Sequence, residues 1–188
     1  CSSDLARIPH LLMFNGGRVT GHDARSGAVL WEKSWGVGNP HVAMPVVTGP
    51  DTVVISAGYG AGAEMFRVVP AGEGKAGIET VWASKKMKAK FSNPVARDGF
   101  LFGLDDGILA CVDLKDGSQR WKEGRYGHGQ GLLVRDLLLL MSEGGELILL
   151  KPTPEAPGEL HRFRVFDGKT SNSIALAGDT AIVRTDLE

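Results

Sequence analysis

Apolar and polar positions alternate along this chain in short runs, and glycine, proline or Asn/Asp turns break the runs at regular intervals. A period of two in short segments reads as half-buried strands. Leu11-Leu12-Met13-Phe14 stops at Asn15-Gly16-Gly17, a strong hairpin signal. Arg18 to Asp23 follows, and the Ser26-Gly27 turn leads into Ala28 to Trp35; with a short strand at 3–7 this is a four-strand meander. A second unit takes Val42 to Val47, the β-branched run Thr52 to Ser56, Glu64 to Val69, and Ile78 to Ala83. A third takes Pro94-Val95-Ala96, Phe100-Leu101-Phe102, Ile108 to Asp113, and Ser118 to Lys122. A fourth runs from Leu132 through Leu137–Met141, Glu146–Leu150 and Leu160–Phe166, and a fifth begins at Ser173. No long amphipathic helix interrupts the series. Four strands in a unit of about 40–45 residues is the propeller period. The pattern predicts an all-β fold, a single β-propeller domain over 1–188. Its four-stranded antiparallel blades fall at about 1–36, 42–84, 92–123 and 130–166, with a partial blade at 172–188.

One phrase recurs. Asp23-Ala-Arg-Ser-Gly27-Ala-Val-Leu-Trp31 and Asp113-Leu-Lys-Asp-Gly117-Ser-Gln-Arg-Trp121 share Asp, Gly and Trp at equal offsets, two units apart. Asp at a strand end can accept hydrogen bonds from turn amides. Gly supplies the positive φ of a tight hairpin. Trp on the outer strand offers a large apolar face to the next blade, with an N–H that needs a partner when buried. Trp82 keeps the tryptophan of the phrase alone, and Pro152 to Gly158 departs from it.

The phrase resembles the tryptophan-docking motif of quinoprotein-like propellers, the pyrroloquinoline quinone (PQQ) repeat family. Asp23, Gly27, Trp31, Asp113, Gly117 and Trp121 carry the resemblance, with Trp82 in part, and all seven then have a structural role. The resemblance implies a ring of seven or eight blades, of which this chain holds about four and a half, so it reads as a fragment. It also implies one of two functions. The first is a non-catalytic, extracytoplasmic scaffold for protein interaction or assembly in the bacterial periplasm, like the propeller lipoprotein of the outer-membrane assembly machinery. The alternative is part of a PQQ-dependent alcohol dehydrogenase. That family's enzymes hold PQQ and calcium beside adjacent cysteines, with Glu, Asn and Asp at the site; adjacent cysteines are absent here. No catalytic residue and no cofactor is therefore expected, with PQQ and calcium belonging to the alternative alone.

Composition narrows the rest. Glycine is abundant at 26 residues, in keeping with many turns, and the net charge of −1 with no basic stripe argues against nucleic acid. The cationic run Lys85-Lys86-Met87-Lys88-Ala89-Lys90 reads as a solvated loop. No apolar run approaches membrane-spanning length. Of two cysteines, Cys111 reads as a buried thiol, and Cys1 as an internal residue or a lipoprotein cysteine. The five histidines lack metal-ligand spacing, and Asp105-Asp106-Gly107 reads as a turn and lacks the rest of a calcium loop.

In a meander, loops joining second to third strands share a face with the loops joining successive blades. That face gathers Asn39, His41, Tyr59, Asn93, Asp105, Arg125, Tyr126 and His128. Loops on a rigid scaffold carry function, so this face is the expected surface for a protein partner.

Overall fold

The computed structural model describes residues 2–36, 38–72 and 75–185, and among these every regular element is a β-strand. The first sheet holds β1 (Ser2–Leu5), β2 (Ile8–Asn15), β3 (Arg18–Asp23) and β4 (Val29–Ser34). The second holds β5 (Val46–Val47), β6 (Thr52–Ala57), β7 (Gly62–Pro70) and β8 (Ala76–Ser84). The third holds β9 (Val95–Arg97), β10 (Phe100–Asp105), β11 (Ile108–Asp113) and β12 (Gln119–Arg125). The fourth holds β13 (Gln130–Val134), β14 (Leu137–Met141), β15 (Glu146–Leu150) and β16 (Glu159–Arg164); β17 (Ala175–Ala177) and β18 (Thr180–Ile182) form a two-stranded sheet. Each sheet is an antiparallel meander in sequence order. The first strands β5, β9 and β13 neighbour one another, while the outer strand β4 lies against β8. The arrangement is a propeller of four-stranded blades. Cys1 lies outside the described residues.

The hydrophobic core is divided among the gaps between blades. Leu5, Leu12, Val19 and Trp31 of the first blade meet Val53, Ile55 and Phe66 of the second. Val54 and Trp82 of the second meet Leu101, Ala110 and Val112 of the third. Phe102, Leu104, Cys111 and Trp121 of the third meet Leu138, Leu140 and Ile148 of the fourth. Strand alternation produces this division. Val53 and Ile55 point one way from β6 and Val54 the other, so all six residues of β6 are buried. Each gap buries one tryptophan, and the partly buried Trp35 packs against the first as well. Cys111 is a free thiol, and burial pushes its pKa up to about 12.

Two stretches differ from the sequence expectation. Val42 to Pro45 lies outside any strand, so β5 is only Val46–Val47; this segment runs over the loop face before entering the blade. The lysine run is not a free loop. Met87 inside it is fully buried, and Lys88 donates to Asp105 through its Nζ and, at 2.8 Å, its backbone N–H. Lys85 Nζ donates to the carbonyls of Gly60 and Ala61 at 3.1 and 3.4 Å.

Candidate functional site

The repeated phrase builds its turn through its first residue. Asp23 Oδ1 accepts the backbone N–H groups of Arg25 and Ser26 at 3.0 and 2.6 Å, and Asp113 Oδ1 accepts that of Lys115 at 2.8 Å. The Ser26 amide and hydroxyl and the Arg25 amide hold the Asp23 carboxyl below its usual range. In both turns the Gly N–H returns to the Asp carbonyl at 2.9 Å, and both glycines have positive φ, +75° at Gly27 and +74° at Gly117.

The glycine and the tryptophan of one phrase serve different gaps. Gly117 lies under Trp82 of the preceding blade, so close that a Cβ there would come within 2.7 Å of the indole. Trp82 Nε1–H donates to the carbonyl of Leu114 at 2.8 Å. Trp121 instead reaches forward and donates to the carbonyl of Thr153 at 2.8 Å, in the fourth blade's proline-rich loop. Trp31 is equally buried and meets Phe66 edge-on, but among the described residues its N–H has no acceptor. The second blade explains why. Thr52 pairs with Arg67 where Phe100 pairs with Asp113, so an arginine stands at the aspartate position and the hairpin runs on to Pro70.

The opposite face is formed by the loops between blades, and hydrogen bonds tie these loops to one another. The backbone N–H of Met44 donates to Asn93 Oδ1 at 2.8 Å, joining the first link to the second. Gln130 Nε2, on a buried side chain, donates to the Phe91 carbonyl at 2.6 Å, joining the second to the third. His128 N–H donates to Glu143 Oε2 at 2.8 Å, and the Thr170 N–H reaches the Glu143 carbonyl at 3.0 Å. The first of these bonds and the Lys169 ammonium at 2.9 Å hold the Glu143 carboxyl below its usual range.

These loops enclose a cleft of about 510 Å³, walled by Val42, Phe91, Asn93, His128 and Gln130 and edged by Ser171 and Ser173. A second cleft of about 560 Å³ adjoins it across Glu143 and Lys169 and is lined by Arg125, Tyr126 and Asp167. Beside the first cleft, Lys90 Nζ sits 4.6 Å from the centre of the Tyr59 ring and 5.3 Å from that of Phe91, while His128 meets Phe91 edge-on at 5.3 Å. Val42, Met44, Tyr59 and Phe91 are all exposed. Tyr59 is held at φ +56°, a backbone conformation uncommon for any residue but glycine.

Of the sequence-derived residues on this face, Asn93 and His128 line the first cleft, Tyr59 stands beside it under Lys90, and Arg125 lines the second. Tyr126 is buried between the third and fourth blades, with its hydroxyl on Glu159 at 3.3 Å. Asp105 is 1% exposed, bonded to Lys88 and, at 2.6 Å, to Lys122. Burial opposes its ionisation, but the Lys122 and Lys88 hydrogen bonds outweigh burial and hold the carboxyl below its usual range. Asn39 sits in the first link, its N–H on the Gly36 carbonyl at 3.1 Å. His41 stacks on Phe14 at 4.1 Å between centres and faces Gly36 O at 3.2 Å. Burial pushes its imidazole below the usual range, with the Gly36 carbonyl opposing. Sequence reasoning missed Val42, Met44, Lys90 and Gln130. The first two read as the start of a strand and Lys90 as solvated charge; an apolar pair just after Asn39-Pro40, inside a link, was the available signal.

Adjacent cysteines are lacking, and among the described residues no three His, Cys, Asp or Glu side chains gather to hold a metal. Among those residues, too, no helix is long and apolar enough to cross a membrane.

Comparison with known proteins bears on the architecture. Residues 3–123 match the family model described as outer membrane protein assembly factor BamB. Among solved structures, the chain superposes on BamB from Moraxella catarrhalis with a TM-score of 0.61 at 19% identity, covering 96% of this chain and 53% of that one. It also superposes on the computationally designed Ika8 protein with a TM-score of 0.57 at 8% identity, covering 97% of this chain and 66% of that one. The chain thus spans about half the length of the BamB structure it matches. No curated protein sequence matches it.

Proposed function

Because this chain belongs to the family of the outer membrane protein assembly factor BamB, we propose that its propeller is a non-catalytic scaffold that binds a partner protein through its loop face, outside the cytoplasm. One observation carries the reading. The inter-blade links are bonded to one another through Asn93 and Gln130, and around that fixed frame stand exposed Val42, Met44, Tyr59 and Phe91. Apolar side chains held in the open on a rigid support characterise interaction surfaces. The frame limits the entropy lost on binding, since the loops are ordered beforehand.

Photo-crosslinking tests the reading in the native host. A photoreactive phenylalanine analogue replaces Tyr59 or Phe91 on the mouth, or Lys115 on the opposite face. Discrete protein adducts are expected from the two mouth positions and not from Lys115, in the extracytoplasmic fraction. Adducts confined to Lys115, or a chain found wholly in the cytoplasm, would overturn it.

A further inference from the structure

We infer that the mouth recognises an extended, acidic segment of the partner, with apolar side chains seated on Val42 and Phe91 and carboxylates meeting Lys90 and Arg125. This rests on the scaffold reading and adds the chemistry of what is bound. Charge at the mouth is unbalanced. The chain as a whole carries −1, yet the carboxylates at the mouth are already matched. Asp105 lies between Lys88 and Lys122, Lys88 also stands 3.6 Å from Asp106, Glu143 pairs with Lys169 at 2.9 Å, and in the second cleft Glu146 pairs with Arg162 at 2.8 Å and Asp167 with Arg164 at 3.4 Å. On this face Lys85 is taken up by the Gly60 and Ala61 carbonyls, while Lys90 and Arg125 have no carboxylate partner among the described residues. Lys90 is seated over the Tyr59 and Phe91 rings, and Arg125 is exposed on the wall of the second cleft.

The ring contacts keep the Lys90 ammonium beside apolar surface without neutralising it. A carboxylate arriving there would complete an ion pair next to an aromatic floor. The two clefts share Glu143 and Lys169, so together they offer one path from Val42 to Arg125. An extended chain suits that path because its successive side chains alternate in direction. Charge complementarity of this kind sets specificity and association rate more than affinity, so binding should weaken steeply with salt.

The test uses the full chain and two fluorescein-labelled twelve-residue peptides. One carries phenylalanine and glutamate in a glycine–serine background; the other has lysine in place of glutamate. Anisotropy should show the glutamate peptide binding and the lysine peptide not. Lys90→Glu and Arg125→Glu should each weaken the glutamate peptide about tenfold, with unchanged melting temperatures. Equal binding of both peptides, no binding of the glutamate peptide, or indifference to Lys90→Glu would overturn the inference. A dimer of the chain that Phe91→Ala abolishes would also overturn it, by making the occupant a second copy. Crosslinks from Tyr59 and Phe91 would persist if only the acidic preference is wrong, and would vanish if the scaffold reading itself fails.

Discussion

At the scale of single residues, three tryptophans in comparable gaps have unequal surroundings. Trp82 and Trp121 each donate to a carbonyl of the next blade, and Trp31 among the described residues donates to none. Replacement by phenylalanine removes similar volume from each gap. It breaks a hydrogen bond only for the first two, a difference of about 1 kcal/mol. Denaturant unfolding should therefore find Trp82→Phe more destabilising than Trp31→Phe by that margin. The two glycines of the phrase form a second matched pair. Gly27 and Gly117 share the same φ, but a Cβ at Gly27 meets nothing and one at Gly117 meets Trp82. Gly27→Ala should cost only the backbone strain, about 1–2 kcal/mol. Gly117→Ala should add about 1–3 kcal/mol for overpacking, and the difference in chemical-denaturation midpoints measures it.

At the scale of elements, the strap from Lys85 to Lys90 is where a loop becomes part of the core. Asp105, at the end of β10, fastens it from below through Lys88 while bonding Lys122 of β12. Its folded pKa is depressed, so its stabilisation is fully present above the ordinary carboxylate range. That stabilisation is lost as pH falls through the folded value. Asp105→Asn should lower stability at neutral pH and flatten the acid limb of the stability curve below about pH 4. A variant whose acid limb matches the parent's would place the acid sensitivity elsewhere. Sequence could not reveal this role. Asp105 and the strap are far enough apart along the chain that their meeting depends on how the second and third blades stack.

At the scale of the molecule, the stacking that buries three tryptophans leaves the first sheet open on its other side. His10 and Leu12 of β2 face the second blade, so Leu11 and Met13 point away from it, and Val29 joins them across His22. Phe163 on the outer strand of the fourth blade, and Leu176 and Ile182 in the two-stranded sheet after it, are exposed. Apolar surface of this kind promotes association. Sedimentation velocity should show the 188-residue chain self-associating with rising concentration, and Leu11→Lys with Met13→Glu should suppress it. Suppression by Phe91→Ala instead would move that contact to the mouth.

Much of the architecture was legible beforehand because it is local. Period-two runs between Gly, Pro and Asp turns specify hairpins, and a meander repeated at one spacing admits few folds, which is why an all-β fold of four-stranded antiparallel blades was legible. The phrase from Asp113 to Trp121 likewise announced a tight hairpin through its own turn chemistry. What it touches is a property of the stack. Its glycine lies under a tryptophan from the blade before, and its own tryptophan reaches a carbonyl in the blade after. The mouth depends still more on tertiary structure. Val42, Lys90, Gln130 and Glu143 lie in separate links and hairpins; the meander rule put neighbours such as His41 and His128 on one face, but not which side chains stand open there. They meet because each blade turns its loops toward a common face, and hydrogen bonds between those loops then fix which side chains remain in the open.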